Sequence, residues 1–156
     1  MYYFYTALRA TEIPVLKRYI EQAQSSLQSA MQAYVKTVIR RPLGRLLEFF
    51  EGVEGLLKTE EASEISYHLP YNQSALHKVL GQYRGEELHR NIQALQKRVE
   101  KHFPEGGPLR ALVRKEIYLE LVHQHDRFAS LIRRCYPQEK MTVGFTPVEL
   151  QRWCNT

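Results

Sequence analysis

The sequence predicts an all-α protein of five to six antiparallel helices joined by short loops, on three observations. Apolar residues recur at steps of three and four through most of the 156 residues, and almost nothing alternates at a period of two. Proline falls at the ends of the apolar stripes or between them. Compact helix-start signals stand where two of the stripes begin.

The first stripe is Ile13, Leu16, Ile20, Ala23, Leu27, Met31, Tyr34 and Val38. It predicts a helix from about Glu12 to Val38, about 40 Å long at 1.5 Å per residue, which suits a rod or bundle. Thr11 stands at the N-cap position, and Pro14 fits a first turn whose N–H groups have no intrahelical partner. Tyr2, Tyr3, Phe4 and Tyr5 crowd the first residues, and exposed aromatics promote association. The expectation is that the chain begins inside a longer helix.

Pro42 removes a backbone donor and crowds the preceding turn, so the helix is expected to end or kink near Arg41. A second helix then runs from about Leu43 to Lys58, with Leu43, Leu47, Phe50, Val53 and Leu57 on one face. Residues Thr59 to Tyr71 carry no stripe and are expected to form a loop. Asn72 is the N-cap of a short helix carrying Leu76, Val79 and Leu80, and Gly81 and Gly85 bracket a turn.

From Glu86 to Phe103 the stripe is Leu88, Ile92, Leu95, Val99 and Phe103. Glu86 and Glu87 open it and Lys97, Arg98 and Lys101 close it, the charge order that suits a helix dipole. PEGGP (104–108) is a turn by composition. Leu109, Val113, Ile117, Leu121, His125, Phe128, Ile132 and Cys135 predict another long helix, from about Leu109 to Tyr136, and Pro137 helps stop it. TPVE (146–149) gives Thr146 as N-cap, Pro147 at the first helical position and Glu149 as the capping-box partner of a last short helix with Leu150 and Trp153.

Hydrophobic residues make up 44% of the chain and charged ones 25%, which argues against bulk disorder. No segment approaches the ~20 apolar residues of a membrane span, and the N-terminus does not read as a signal peptide. Cys135 and Cys154 are expected to be free thiols, the usual state in a reducing compartment.

Catalytic apparatus is not evident, and neither enzyme activity nor a cofactor is expected. His123 and His125 of the HQHD run point roughly 200° apart on a helix and cannot share one metal by themselves. His125 falls on an apolar stripe and is expected to be a packed core histidine. His68, His77, His89 and His102 are scattered, Glu60, Glu61 and Glu64 read as a solvated acidic loop, and no phosphate-binding loop or nucleophile elbow is present.

The net charge of +5 permits acidic partners without selecting one. The cations fall in groups: Arg40, Arg41 and Arg45; Lys97, Arg98 and Lys101; Arg110, Arg114 and Lys115; Arg133 and Arg134. Helix ends favour cations for local reasons. The functional alternative is a basic surface for a protein partner, an anionic membrane or nucleic acid. Nucleic acid is the least expected, because no binding motif or interleaved stacking aromatics accompany the cations.

Three segments carry a family resemblance. YVKTVIRRPLGRLLEFFEGVEGLL (34–57), EEASEISYHLPYNQSALHKVLGQYRGEELHRNIQALQKRVEKHF (60–103) and FASLIRRCYPQEKMTVGFTPVELQRWC (128–154) resemble, in order, the C-terminal helical region of the exocyst complex component 1 family. The likeness covers roughly residues 30 to 155, and the FFEGVE, SEISY and RCYP segments together make it specific. It implies a non-catalytic segment of a vesicle tether, built of stacked helical bundles, that meets other exocyst subunits by protein–protein contacts. It implies a cytoplasmic protein recruited to the plasma membrane at sites of exocytosis, with peripheral membrane contact and no small-molecule substrate. Residues 1–33 would be the N-terminal part of a long rod helix and residues 34–156 the C-terminal bundle. The family's lipid- and Rho-GTPase-binding domain and its coiled coil have no counterpart in these residues, so phosphoinositide binding does not carry over. In FFEGVE, Phe50 and Val53 are expected to pack inward and Glu51 and Glu54 to face out.

Overall fold

The computed structural model describes residues 1–10, 13–103, 107–138 and 140–155, with the side chains of 153–155 set aside. Among them are six α-helices and no strand: α1 (Tyr2–Ala10), α2 (Lys17–Leu56), α3 (Gln73–Gly81), α4 (Gly85–His102), α5 (Pro108–Cys135) and α6 (Pro147–Asn155). Short 3-10 turns occupy Pro14–Leu16, Ile65–Tyr67 and Leu69–Tyr71. The expected all-α class holds. Thr11, residues 104–106 of the expected turn, and the side chains of Trp153 and Cys154 lie outside the described residues.

The start of the chain differs from expectation. Instead of one helix beginning near Glu12, α1 precedes a break, and Pro14 opens a 3-10 turn rather than α2 itself. Ile13 is extended there (φ −85°, ψ 117°), the conformation that a following proline favours. α1 packs on the first turns of α2, where Ala23 is the buried contact. Val38 at the far end of the first stripe is buried, Leu16, Ile20, Leu27, Met31 and Tyr34 are only partly covered, and Ile13 is exposed.

Pro42 does not end the helix. α2 continues through it and is 40 residues long in all, about 60 Å at 1.5 Å per residue. The reason is packing. Val35, Val38 and Ile39 before the proline, Pro42 itself, and Leu43, Leu46 and Leu47 after it are all buried. An interior proline costs about 3 kcal/mol, and burial of one large aliphatic side chain offsets about 1.5–3 kcal/mol. Several such side chains outweigh the break. Three residues on, the Arg45 backbone N–H donates to the hydroxyl of buried Tyr83 at 3.2 Å, so a side chain is inserted into the backbone ladder beside the proline.

α4 runs antiparallel to α2: Tyr34 meets His102 and Phe103, while Arg45 meets Gln82 and Tyr83. α5 returns antiparallel to α4, with Arg110 and Glu100 3.0 Å apart at the hairpin. α5 therefore lies parallel to α2, and Phe50 stacks on Phe128 with ring centroids 4.6 Å apart. α6 closes one end against α4 and α5, where Leu150, Val143 and Phe145 are buried.

The expected start signals are formed. The Asn72 side chain accepts from the Ala75 N–H at 2.8 Å. The Thr146 N–H donates to Glu149 at 2.8 Å, and the Glu149 N–H donates to the Thr146 hydroxyl at 3.3 Å, which is the reciprocal capping box. The expected loop before α3 is two 3-10 turns anchored by Ile65, which has no accessible surface. The Tyr136 hydroxyl donates to the Tyr71 carbonyl at 2.6 Å and ties that segment to the end of α5, and burial pushes the phenol well above its ordinary range.

Candidate partner-binding site

A groove of about 670 Å³ lies between α2 and α5, on the side away from α4. α2 supplies Met31, Val35, Lys36, Ile39 and Arg40, and α5 supplies Glu116, Leu119, Glu120, His123 and Gln124. The parallel course of the two helices makes it, because each presents a row at steps of three and four toward the other. Met31, Val35 and Ile39 lie four apart along α2 and floor the groove. Leu119 stands on α5 off the stripe that faces the core and is 47% exposed.

A polar network closes the groove at one end. The Arg127 Nε donates to Glu54 at 2.8 Å and a second guanidinium N–H donates to the other oxygen of the same carboxylate. Arg127 also donates to the Gln124 carbonyl at 2.7 Å, and the Gln124 amide donates to Glu120 at 2.7 Å. Gln124 is the one buried polar residue of the described chain, and this network satisfies both ends of its amide. The guanidinium holds the Glu54 carboxyl below its ordinary range, and the carboxylate raises Arg127 in turn. Glu54 therefore does not simply face out as expected; it is half-buried and bound to α5. Glu51 is exposed, and Arg40 reaches it at 2.7 Å. Phe50 and Val53 are fully buried, as expected.

The cations of the first three groups divide among different places. Arg40 lines the α2–α5 groove. Arg41 and Arg98 come together across a smaller groove of about 150 Å³ between α2 and α4. Arg45 extends to Gln82 at 3.3 Å. Arg110 pairs with Glu100, and Arg114 lies over the α4–α5 seam beside Leu95 and Ile117. Lys97, Lys101 and Lys115 are exposed. Each of these three groups is thus split over two or more helix faces.

His125 is half-buried, tilted against Phe145 with centroids 5.6 Å apart, and 3.0 Å from Asp126. No group of three or more potential metal ligands occurs among the described residues. A second, uncharged cavity of about 560 Å³ lies between the start of α3 and the end of α5, lined by Ser66, Asn72, Ser74 and Cys135 among others. Burial pushes the Cys135 thiol up, away from the thiolate that reactive cysteines need.

Sequence reasoning missed the α2–α5 groove. Two signals pointed to it: Val35 and Ile39 form a second row beside the stripe through Tyr34 and Val38, and Leu119 is apolar off the α5 stripe.

The sequence model of the family described as Exocyst complex component Sec3, C-terminal, matches residues 1–138. The chain is 31% identical to exocyst complex component 1 of Mus musculus over 156 residues, 99% of this chain and 17% of the relative. It is 31% identical to exocyst complex component 1 of Drosophila melanogaster over 147 residues, 92% of this chain and 16% of that protein. With the Dictyostelium discoideum component it shares 20% identity over 137 residues, 88% of this chain and 16% of the relative. These matches take in α1 and the start of α2, upstream of the segments that carry the resemblance in the sequence. The chain spans about a sixth of the length of these relatives. No solved structure matches it.

Proposed function

We propose that the chain works in vesicle tethering as a non-catalytic helical segment that meets other exocyst subunits, because it belongs to the family of the C-terminal region of the exocyst component Sec3. Residues 1–33 act in this reading as an arm that continues a helical rod, and residues 34–156 as the bundle that ends it. The tethering work places the chain in the cytoplasm, recruited to the plasma membrane where vesicles fuse.

One observation carries the reading. Met1, Tyr3, Phe4, Ile13, Val15 and Tyr19 are all large, apolar and exposed, and all lie within the first 19 residues: at or on α1, in or beside the 3-10 turn, or in the first turn of α2. In α1 the residues half-covered by α2 are Tyr2, Tyr5 and Leu8, while Tyr3 at 73% and Phe4 at 59% exposure point away. A helix apolar on both sides belongs inside an assembly of helices. Contact through stacked helices needs such a surface and no catalytic group.

The grouped cations give weaker support to a second reading, an anionic membrane surface or nucleic acid. Their division among separate grooves lets only a few of them meet one phosphate surface together.

Affinity capture of the tagged chain from cells, read by mass spectrometry for exocyst subunits, tests the proposal. Recovery should fall for the Tyr3→Glu/Phe4→Glu variant while its melting temperature stays unchanged. If no exocyst subunit is recovered with the folded wild-type chain, the tethering role is wrong.

A further inference from the structure

We propose that the groove between α2 and α5 seats a partner's amphipathic helix, one that carries acidic residues along one edge of its apolar stripe and basic residues along the other. This goes beyond the tethering reading and stands or falls without it.

Three features select such an occupant. The floor is apolar and accessible at Met31 and Leu119, over a length of α2 from Met31 to Leu47 that spans roughly 24 Å at 1.5 Å per residue. That is the length of four to five helical turns, about 5.4 Å each. Over the stretch from Lys36 to Arg40 the rims have opposite signs, with Lys36 and Arg40 on α2 and Glu116 and Glu120 on α5; at the far end Glu51 of α2 and Arg127 of α5 also line the groove, each held in an ion pair within the chain. Within the chain, Arg40 is matched by Glu51, Glu120 by Gln124 and Arg127 by Glu54. Lys36 and Glu116 take part in none of the ion pairs found among the described residues. His123 sits on the acidic rim, 3.8 Å from Glu120.

The acidic rim decides the class of partner. Glu116 and Glu120 would face the phosphates of a membrane or a nucleic acid and repel them, whereas a helix can offer each rim its opposite charge. A helix laid in the groove the other way round exchanges its two edges. The rims therefore fix the direction of the bound helix as well as its composition.

The test uses three helix-stabilised peptides with the same leucine stripe, labelled for fluorescence anisotropy: one with Glu on one edge and Lys on the other, one with Glu on both edges, and one with Lys on both. The mixed peptide should bind the chain tightest, with both controls about two- to tenfold weaker, the effect of losing exposed ion pairs along one rim. Leu119→Glu should abolish binding of the mixed peptide. Lys36→Glu, at an exposed position that leaves the fold intact, should make the all-Lys peptide the tightest of the three. Failure of the mixed peptide to bind, equal binding of all three peptides, or an order of affinities unmoved by Lys36→Glu would each overturn the proposal.

Discussion

Arg127 on α5 grips both carboxylate oxygens of Glu54 on α2, across 73 residues of sequence. A bidentate guanidinium–carboxylate pair fixes direction as well as distance, so this contact sets how the two parallel helices lie along each other. The side chains are 20% and 39% exposed, so solvent weakens the pair without dissolving it.

The pair predicts a pH dependence. The Arg127 hydrogen bonds lower the folded-state pKa of Glu54 below its unfolded value. Such a carboxyl contributes stability that is present above the ordinary carboxylate range and is lost as pH falls through the folded-state value. Glu54→Gln should cost about 1–2 kcal/mol near neutral pH, allowing for partial exposure, and much less on strong acidification. Urea unfolding of Glu54→Gln, Arg127→Met and the double variant measures this. Additive costs in the cycle would mean that the two residues do not stabilise one another.

Pro42 predicts a gain. Replacing it with Ala restores a backbone donor in the middle of α2 and removes a helix penalty of about 3 kcal/mol. The change also removes two buried ring carbons, at about 0.8 kcal/mol each. The balance is a stabilisation of about 1–2 kcal/mol, read as a higher urea midpoint with an unchanged slope. A loss of stability instead would show that the ring's fit against α4 outweighs the backbone.

What the sequence disclosed follows from the range of each interaction. The starts of α3 and α6 were legible because Asn72 with Ala75 and Thr146 with Glu149 are contacts between residues three apart. The stripes of α4 and α5 were legible because helical period and burial coincide there. Pro42 misled because its local penalty is offset by side chains on other helices, which no window around residue 42 contains. The same holds for Glu54, which reads as an outward carboxylate until α5 brings Arg127 to it. The groove was hidden for a further reason: a floor made by two parallel helices needs their relative direction, and stripes do not encode direction.

The stacked pair at the centre predicts a large loss. Phe50 and Phe128 have no accessible surface, and their rings lie 18° from parallel. Phe50→Ala should cost about 3–5 kcal/mol, seen in thermal or urea unfolding. A cycle with Phe128→Leu should show a coupling of about 0.5–1.5 kcal/mol from the stacking itself. A melting curve unchanged by Phe50→Ala would remove this residue from the core.

Two glycines on α2, three residues apart, predict opposite outcomes for the same substitution. A Cβ on Gly52 would lie 2.1 Å from the Tyr71 hydroxyl oxygen and 2.6–2.7 Å from two ring carbons, while a Cβ on Gly55 would meet nothing within 4 Å. Alanine is favoured over glycine in a helix interior by up to about 1 kcal/mol. Gly55→Ala should therefore raise stability by a fraction of that, since it lies near the helix end. Gly52→Ala should lower it by about 1–3 kcal/mol, because Tyr71 must leave its place against Phe49 to admit the methyl group. Tyr71→Phe removes only the hydroxyl and leaves the ring carbons in the way, so it should rescue Gly52→Ala poorly. Tyr71→Ala has its own cost, but in its background Gly52→Ala should become neutral or favourable. Urea midpoints for the four single and two double variants decide the matter: if Gly52→Ala matches Gly55→Ala in the wild-type background, Tyr71 does not pack on α2 at Gly52.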